Sequence, residues 1–258
     1  MKRIIPLMAA ASLLALTPLS AAHHEKGSNG AIDIAATQDA LTMAEGRSVE
    51  DKARDGGRRP AEVLHYLGLK KGDTVLDIIA SGGWYSVAAA IAVGPEGKVY
   101  AQNPAAALAL RDGAFEKEIT ARMAANKLPQ LERMNAEAGA FPIEDNSVDL
   151  AITVLNFHDV YQNFGVPAAT GMLAAIKAKL KPGGVLGVID HAGTPGADNK
   201  PLHRIDPALA VAAAEAAGFT VERNDDLLDG YDDMSKNVFD PLVRGKTDRF
   251  ILKLTKPE

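Results

Sequence analysis

Short, strongly apolar segments alternate with helical patterns along most of the chain, and this alternation restricts the fold more than any other feature. Three of the segments carry few polar residues, which is typical of strands buried on both faces. They are TVLDII at 74–79, VDLAITVL at 148–155 and VLGVI at 185–189. Strands of this kind, separated by helices, predict a parallel sheet that is covered by helices on both sides.

Further segments complete the pattern. Pro60 begins a helical segment that ends at Gly72, and Gly94-Pro95 stops a helix that begins at Trp84. The remaining helical patterns lie at 105–126, 167–180 and 206–217, and weaker strands lie at 98–102, 131–136, 219–223 and 249–255. Because no helix separates the last two strands, we expect them to pair antiparallel. The predicted fold class is α/β, a doubly wound and mostly parallel sheet.

Composition excludes several kinds of site. The chain has 258 residues and no cysteine, and its 28 basic and 33 acidic residues give a net charge of −5. A chain without cysteine has no disulfide, no thiolate metal site and no cysteine nucleophile. The negative charge argues against a nucleic-acid binder that depends on positive charge. The length fits one domain, or at most two.

The N-terminus has the pattern of a secretory signal. Lys2 and Arg3 precede an apolar run from Ile4 to Leu16, and the small residues Ser20-Ala21-Ala22 follow. Cleavage after Ala22 would make residues 1–22 a signal peptide, and we then expect an exported, periplasmic protein. A retained N-terminal anchor is the alternative. No later segment is long and apolar enough to span a membrane.

Residues 23–59 are polar with some helical stretches, and we treat them as an N-terminal extension of the domain at 60–258. The extension begins with His23 and His24. An N-terminal histidine can chelate copper through its amine and imidazole, but a solvated tail is the simpler interpretation. Near the C-terminus, residues 225–246 are long, acidic and irregular, which favours a lid over a second domain.

In an open parallel sheet, ligands bind beyond the carboxyl ends of the strands. The first strand is followed by a glycine turn and then by a helix, whose free N–H groups favour a carboxylate or phosphate. The candidate binding residues of this loop are Asp77, Ser81, Gly82, Gly83 and Tyr85. A plain strand-to-helix turn is the alternative interpretation. Three further candidates follow the second, third and fourth strands: Asn103, Glu137 and Asn156.

The fourth and fifth strands are followed by His158-Asp159 and Asp190-His191. Histidine has a suitable pKa for proton transfer near neutral pH, and a neighbouring aspartate can orient its ring. These four residues are the predicted catalytic group. They also have the chemistry of a metal site, although adjacent residues on a strand point in opposite directions. Packing of His158 and His191 in the core is the remaining alternative.

The loop after 191 contains His203, Arg204 and Asp206. These residues could close over an acidic acceptor. Capping of the helix at 206–217 by Asp206 is the favoured interpretation. Arg244 and Arg249 flank the late loop, where solvated charge or structural pairing is the simple interpretation.

Several motifs in this order resemble the class I S-adenosylmethionine-dependent methyltransferases. They are DIIASGGWYS at 77–86, KVYAQN at 98–103, FPIEDNSVDLAITVLNFHD at 141–159 and LKPGGVLGVIDH at 180–191. The likeness extends over Pro60 to Pro257, and FPIEDNSVDL and LKPGG are its most specific pieces. It is nearest to a group of exported methyltransferases of unassigned substrate. Three further segments also resemble that group: RDGGRRPAEVLHYLGLKKGD at 54–73, LHRID at 202–206 and RGKTDRFILKLTKP at 244–257.

The resemblance implies a seven-stranded sheet with a reversed final hairpin, and S-adenosylmethionine as cofactor. It implies that Asp77 helps to hold the methionine amino group and that Gly82 and Gly83 pass beneath the cofactor. Asn103 matches the ribose-binding acidic position, and Glu137 matches an acidic residue near the adenine. Asn156 and His158 would face the methyl group and the acceptor.

The chain departs from the family pattern at three positions. Ile79 and Ser81 stand where glycines are usual, and Asn103 replaces an aspartate or glutamate. Loss of a charged ribose contact would weaken binding by about 1–3 kcal/mol. The expected function is methyl transfer from S-adenosylmethionine to a small-molecule acceptor, without nucleic acid and without a stable membrane span after the signal is removed. A catalytically inactive periplasmic binding module and a metal-dependent enzyme are the two alternatives.

Overall fold

The computed structural model describes residue 1, residues 30–230 and residues 233–258. Residues 2–22 of the predicted signal peptide and the pair His23-His24 lie outside the described residues. No helix in the described ranges has the length and apolar character needed to cross a membrane.

The described residues form one seven-stranded sheet. Its strands are β1 (Thr74–Ile78), β2 (Lys98–Asn103), β3 (Leu131–Asn135), β4 (Val148–Val154), β5 (Leu180–His191), β6 (Thr220–Asn224) and β7 (Arg249–Thr255). The strand order is β3-β2-β1-β4-β5-β7-β6. Strands β1 to β5 pair in parallel, and β7 is antiparallel to both β5 and β6. The predicted fold class and the reversed final hairpin are confirmed.

The helices lie before and between the strands. They are α1 (Ile34–Met43), α2 (Val49–Ala53), α3 (Asp55–Arg58), α4 (Pro60–Tyr66), α5 (Trp84–Val93), α6 (Ala105–Asn126), α7 (Phe157–Phe164), α8 (Val166–Lys179) and α9 (Pro207–Ala216). A short 3-10 turn covers Lys200–Leu202. Two buried apolar clusters result, one with residues of α4, α5 and α6, and one with residues of α8 and α9. This arrangement buries both faces of the sheet, as the apolar strands require.

The structure differs from the sequence prediction near the site in one strand and in one helix. Strand β5 begins at Leu180 instead of 185, because Leu180 pairs with Val148 before an irregular register brings Val185 opposite Leu150. Residues 157–164 form helix α7, which the sequence pattern did not indicate. This helix has only 8 residues. Its formation depends on packing of the buried Phe157 in the core, since short helices are marginal on their own.

The part of the N-terminal extension that is described packs closely on the domain. The N–H of Ile32 donates to the carbonyl of Leu69 at 2.8 Å, and Leu41 is fully buried. The indole of Trp84, at the start of α5, donates to the carbonyl of Asp51 at 3.0 Å. Helices α2 and α3 therefore lie next to the loop that joins β1 to α5.

Candidate functional site

The loop between β1 and α5 has the backbone of a glycine loop, although two of its positions carry side chains. Ile79, Ser81 and Gly83 have φ angles of 53°, 51° and 75°. The left-handed region is open to glycine and costs an ordinary L-residue about 1–2 kcal/mol. A branched residue such as Ile79 is a marked exception there. The chain thus keeps the alternating left-handed backbone while two of the glycines are replaced.

Two amide side chains at the end of β2 hold this loop. The N–H of Ile79 donates to Oε1 of Gln102 at 3.0 Å. The N–H of Ser81 donates to Oδ1 of Asn103 at 2.8 Å, and Nδ2 of Asn103 donates to the Ser81 carbonyl at 3.1 Å. Asn103 is 1% exposed, so its amide is committed to the loop backbone. The geometry therefore gives Asn103 a contact that differs from the ribose contact expected of it.

Asp77 also turns into the protein. It is 2% exposed, and its Oδ2 accepts a hydrogen bond from Oγ of Ser86 at 2.5 Å. Burial raises the pKa of Asp77 to about 7, against the smaller opposing effects of Ser86 and the Arg58 charge. The carboxyl group supports the first turn of α5 from inside. It is not placed to hold a methionine amino group directly.

Helix α6 approaches the glycine turn from the other side. The Arg122 guanidinium donates to the carbonyl of Gly82 and binds both carboxylate oxygens of Asp51 at 2.8 Å. A methyl group on Gly82 would collide with the Glu118 carboxylate, and one on Gly83 would lie 3.0 Å from Ile119. The two glycines therefore permit close contact with α6. Through Asp51, the same arginine joins the loop to α2.

Arg58, at the end of α3, lies over the first turn of α5. Its Cζ is 4.9 Å from the Trp84 ring centre and 6.0 Å from that of Tyr85. The Tyr85 hydroxyl donates to the Arg58 carbonyl at 2.9 Å. Burial lowers the pKa of Arg58 to about 10, so the group stays charged at neutral pH. Its guanidinium makes no hydrogen bond or ion pair with another described residue, and a half-buried cation of this kind is suited to an anionic ligand group.

His158 and Asp190 form a buried pair at the ends of α7 and β5. Nδ1 of His158 lies 2.7 Å from Oδ1 of Asp190, and the His158 N–H donates to Oδ2 at 2.7 Å. The N–H of His191 donates to Oδ1 of the same carboxylate at 2.8 Å. Burial disfavours the imidazolium, but the Asp190 charge and hydrogen bond outweigh it and raise the pKa of His158. Burial likewise opposes the Asp190 carboxylate, and His158 outweighs it, so the pKa of Asp190 is lowered.

The second nitrogen of His158 faces two further polar residues. Its Nε2 lies 3.5 Å from Oδ1 of Asp159, and that oxygen is also 3.5 Å from Nδ1 of His203. The His158 and His203 rings meet edge to face at 5.7 Å, and Phe239 packs on His203 at 5.0 Å. His203 is brought here because its neighbour Ile205 donates its N–H to the carbonyl of His191 beyond β5. The three side chains place their ligand atoms within 4.8 Å of one another.

His191 lies beside the pair, with its ring centre 6.1 Å from that of His158. It is 8% exposed, and its Nδ1 lies 2.8 Å from the Thr247 hydroxyl. Burial lowers the pKa of His191 to about 3, so the ring is neutral and weakly basic. The structure therefore brings all four predicted catalytic residues together, although the ring nitrogen Nδ1 of His191 is engaged by Thr247, and it adds His203 beside Asp159.

The two remaining candidates lie at the same edge. Nδ2 of Asn156 donates to the carbonyl of Ile79 at 3.0 Å and so ties the end of β4 to the glycine loop. Glu137 lies beyond β3 on the surface.

The chain is similar to solved structures over most of its length. A methyltransferase from Aquifex aeolicus described as SAM-dependent matches 85% of this chain and 98% of its own, with a TM-score of 0.58 and 20% identity. A SAM-dependent O-methyltransferase from Thermotoga maritima matches 78% of this chain and 65% of its own, with a TM-score of 0.52 and 18% identity. The protein has the class I methyltransferase fold. No protein-family model matches the sequence, and no curated protein matches it either.

The methyltransferase fold alone does not decide the chemistry. The cyclase SpnF has a TM-score of 0.57 and 17% identity to this chain, covering 78% of it and 80% of its own length. One fold thus serves different reactions, so the function has to be inferred from the residues at the carboxyl edge of the sheet.

The sequence does not indicate the site contacts of three residues of this methyltransferase fold. Gln102 belongs to KVYAQN and Arg58 to RDGGRRP, two segments that carry the resemblance without a role for these residues. For His203 the sequence allows closure over an acidic acceptor, together with Arg204 and Asp206, but it does not indicate its place beside His158. Asp206 does cap α9, since its side chain accepts from the N–H of Ala208 at 2.9 Å.

A broad cleft of about 780 Å³ lies at the opposite edge of the sheet, near the starts of β1 and β4. Two of its charged residues, Lys181 and Asp149, pair with each other at 2.6 Å. The glycine loop and the His158 group do not line this cleft. In a doubly wound sheet the carboxyl edge is the ligand-binding edge, so we assign the candidate site there.

Proposed function

We propose that this protein is an S-adenosylmethionine-dependent methyltransferase that acts on a small-molecule acceptor. The observation that carries the proposal is the position of the Asp190–His158 pair. The pair lies at the same edge of the sheet as the glycine loop. Asn156, which begins the helix that carries His158, donates to the carbonyl of Ile79 in that loop. A cofactor held at the loop and an acceptor held at His158 would thus be neighbours.

The residues present fit the methionine end of this cofactor. The Arg58 guanidinium has no hydrogen-bond or ion-pair partner among the described residues, and a methionine carboxylate would supply that anion. The first N–H groups of α5 favour the same carboxylate. Asp77 and Asn103 would act indirectly, because their side chains fix the loop from within. The exposed Glu137 is the acidic residue left to contact the nucleoside end.

When bound, the cofactor supplies an electrophilic methyl group on sulfonium. The protein has to orient an acceptor against that carbon and take up the acceptor's proton. Nε2 of neutral His158 would accept the proton, because Nδ1 is engaged by Asp190. The buried Asp190 carboxylate would then stabilise the imidazolium. This division of roles follows from the two different environments of the ring nitrogens.

Residues 233–246 would cover the acceptor. The N–H of Val238 donates to the carbonyl of Leu202 at 3.2 Å, and Nδ2 of Asn237 donates to that of Pro201 at 2.7 Å. These bonds place the half-exposed Phe239 beside His203. An apolar ring next to the proton acceptor favours a small acceptor that combines an apolar body with a hydroxyl or amine.

The proposal includes export to the periplasm, on the basis of the Lys2-Arg3 pair, the apolar run and the small residues up to Ala22. Fractionation of cells that produce the full chain, compared with a chain that starts at His23, tests this part separately. Periplasmic recovery of only the full chain supports it. Cytoplasmic recovery of both contradicts export and leaves the proposed chemistry intact.

A binding module without catalysis is the second candidate. It is favoured by the inward orientation of Asp77 and Asn103, which leaves the loop with fewer side chains for a cofactor. Such a module would bind an anionic ligand at Arg58 and would show no turnover in any variant.

Calorimetric titration with S-adenosylmethionine and S-adenosylhomocysteine tests the proposed function. We expect binding by the wild-type protein, about tenfold or greater weakening in Arg58→Met, and partial recovery in Arg58→Lys. Arg223→Met removes an exposed arginine and is the matched control. Absence of binding by folded wild-type protein would reject the cofactor assignment. Binding that is equal in wild type and Arg58→Met would reject the role of Arg58.

A further inference from the structure

We propose that His158, Asp159 and His203 bind one divalent transition-metal ion such as zinc, and that Asp190 orients the His158 ring through a hydrogen bond. From the sequence alone, the candidate metal ligands are His158, Asp159, Asp190 and His191. The structure replaces His191 with His203 and moves Asp190 out of the ligand set.

The separations between the ligand atoms suit such an ion. With bonds of about 2.1 Å, two ligands of a tetrahedral zinc ion lie about 3.4 Å apart. Oδ1 of Asp159 is 3.5 Å from Nε2 of His158 and 3.5 Å from Nδ1 of His203. All three ligand atoms lie within 4.8 Å of one another. A small rotation of the half-exposed His203 side chain would bring the third separation into range.

Asp190 provides an independent argument. A metal-bound histidine usually donates its other ring N–H to a carboxylate or carbonyl, which fixes the tautomer and the ring orientation. Nδ1 of His158 is held by Asp190 at 2.7 Å, so Nε2 is the nitrogen left for a ligand bond. Asp190 is itself fixed by the backbone N–H groups of His158 and His191. The hydrogen bond that usually orients a metal-bound histidine is therefore present at His158.

The loop that carries His203 is also well fixed. His203 ends the 3-10 turn with a left-handed backbone, at φ 53°. The next residue, Arg204, is fully buried, and its guanidinium donates to the carbonyls of Ala192 and Lys236. These bonds tie Arg204 to the backbone at Ala192 and at Lys236. Because the residue next to it is fixed in this way, His203 is confined near Asp159.

Charge and donor type decide which ions the site favours. Two neutral imidazoles and one carboxylate leave a charge of −1 on the ligands, and the Asp190 carboxylate adds another. A divalent cation would balance both. Imidazole donors favour zinc, cobalt, nickel and iron, whereas magnesium and calcium prefer oxygen. Three protein ligands would leave a fourth position open to a small molecule, as in catalytic zinc sites.

This inference is independent of the cofactor, because metal binding can be measured without S-adenosylmethionine. The metal-free full-length protein would be titrated with zinc and, separately, with cobalt, with absorption of the cobalt complex as a second readout. A His23→Ala/His24→Ala background removes the N-terminal histidines from the count. We expect one equivalent of zinc and of cobalt, and no comparable binding of magnesium.

Variants then assign the ligands. His203→Ala and Asp159→Asn should each weaken zinc binding by at least tenfold and change the cobalt spectrum. Asp190→Asn should weaken zinc binding by about 10–100-fold, as is usual for a residue that hydrogen-bonds to a metal ligand. His65→Ala is the matched control and should bind like wild type, since His65 contacts the Ile32 carbonyl away from the site.

Two results would overturn the proposal. One is folded wild-type protein that binds no equivalent of zinc or cobalt. The other is stoichiometric binding that survives His203→Ala and Asp159→Asn with an unchanged cobalt spectrum. Neither result affects the titration with S-adenosylmethionine. If both proposals hold, added zinc should suppress transfer that depends on His158, because one nitrogen cannot carry a metal ion and accept a proton.

Discussion

Asn103 binds the backbone of Ser81 through both atoms of its amide. Its Oδ1 accepts from the Ser81 N–H at 2.8 Å, and its Nδ2 donates to the Ser81 carbonyl at 3.1 Å. A carboxylate at this position could accept the first bond but could not donate the second. The asparagine is therefore explained by the loop it holds, and the left-handed backbone at Ser81 depends on it.

Asn103→Asp should destabilise the protein, although it restores the residue type expected from the family resemblance. The carboxylate would face the Ser81 carbonyl with no proton between them, in a buried position. We expect a loss of about 1–3 kcal/mol in the free energy of unfolding, measured by urea denaturation. We also expect weaker binding of S-adenosylmethionine. Tighter binding with unchanged stability would instead mean that Asn103 contacts the cofactor.

Asp77 should make stability fall as the pH rises. Burial raises its pKa from an ordinary 3.8 to about 7. Between these values the unfolded chain has lost this proton while the folded protein retains it, so the free energy of unfolding falls with pH. The difference amounts to about 4 kcal/mol once the pH exceeds 7.

The test for Asp77 is Asp77→Asn, whose amide keeps an acceptor for Ser86 and does not titrate. Urea denaturation at pH 4.5 and at pH 8 should show a smaller fall in stability for the variant than for wild type. Asp39→Asn, an exposed position, is the control and should keep the wild-type dependence. Parallel curves for wild type and Asp77→Asn would show that this carboxyl does not titrate in that range.

Gly83→Ala should destabilise the fold by about 2 kcal/mol, because alanine is disfavoured at positive φ. The φ angle of Gly83 is 75°, and the added carbon would also lie 3.0 Å from Ile119. Gly171, in the middle of α8, is a matched control with open space around it. Gly171→Ala should raise stability by about 0.5–1 kcal/mol. Thermal unfolding of the two variants compares them, and equal shifts would contradict the left-handed conformation at Gly83.

His158→Gln and Asp190→Asn should reduce methyl transfer while leaving cofactor affinity unchanged. Loss of the proton acceptor, or of the carboxylate that orients it, should lower the rate by about 10²–10⁴-fold. Formation of S-adenosylhomocysteine with a panel of small hydroxyl and amine compounds would be compared with calorimetric cofactor binding. His65→Ala should match wild type in both. A parallel loss of binding and turnover would place His158 in the cofactor site instead.

The order of elements was readable from the sequence because buried parallel strands leave a strong apolar signal. Segments such as VDLAITVL are typical of strands covered on both sides, and the missing helix before β7 predicted the antiparallel hairpin. Helix α7 was not readable, because it is short and depends on packing of Phe157. The start of β5 was misplaced because its first pair, Leu180 with Val148, is separated from the rest by an irregular register.

The residues that follow each strand, and so reach the carboxyl edge of the sheet, can be identified from the order of the chain. The direction in which their side chains turn depends on the folded protein. Asn103 points inward to bond the loop backbone at Ser81, Asp77 accepts from the Ser86 hydroxyl in α5, and His191 is buried against Thr247. His203 joins His158 because backbone bonds near Ile205 fold a distant loop onto β5. Side-chain direction depends on contacts between segments far apart in the chain, and no local pattern encodes it.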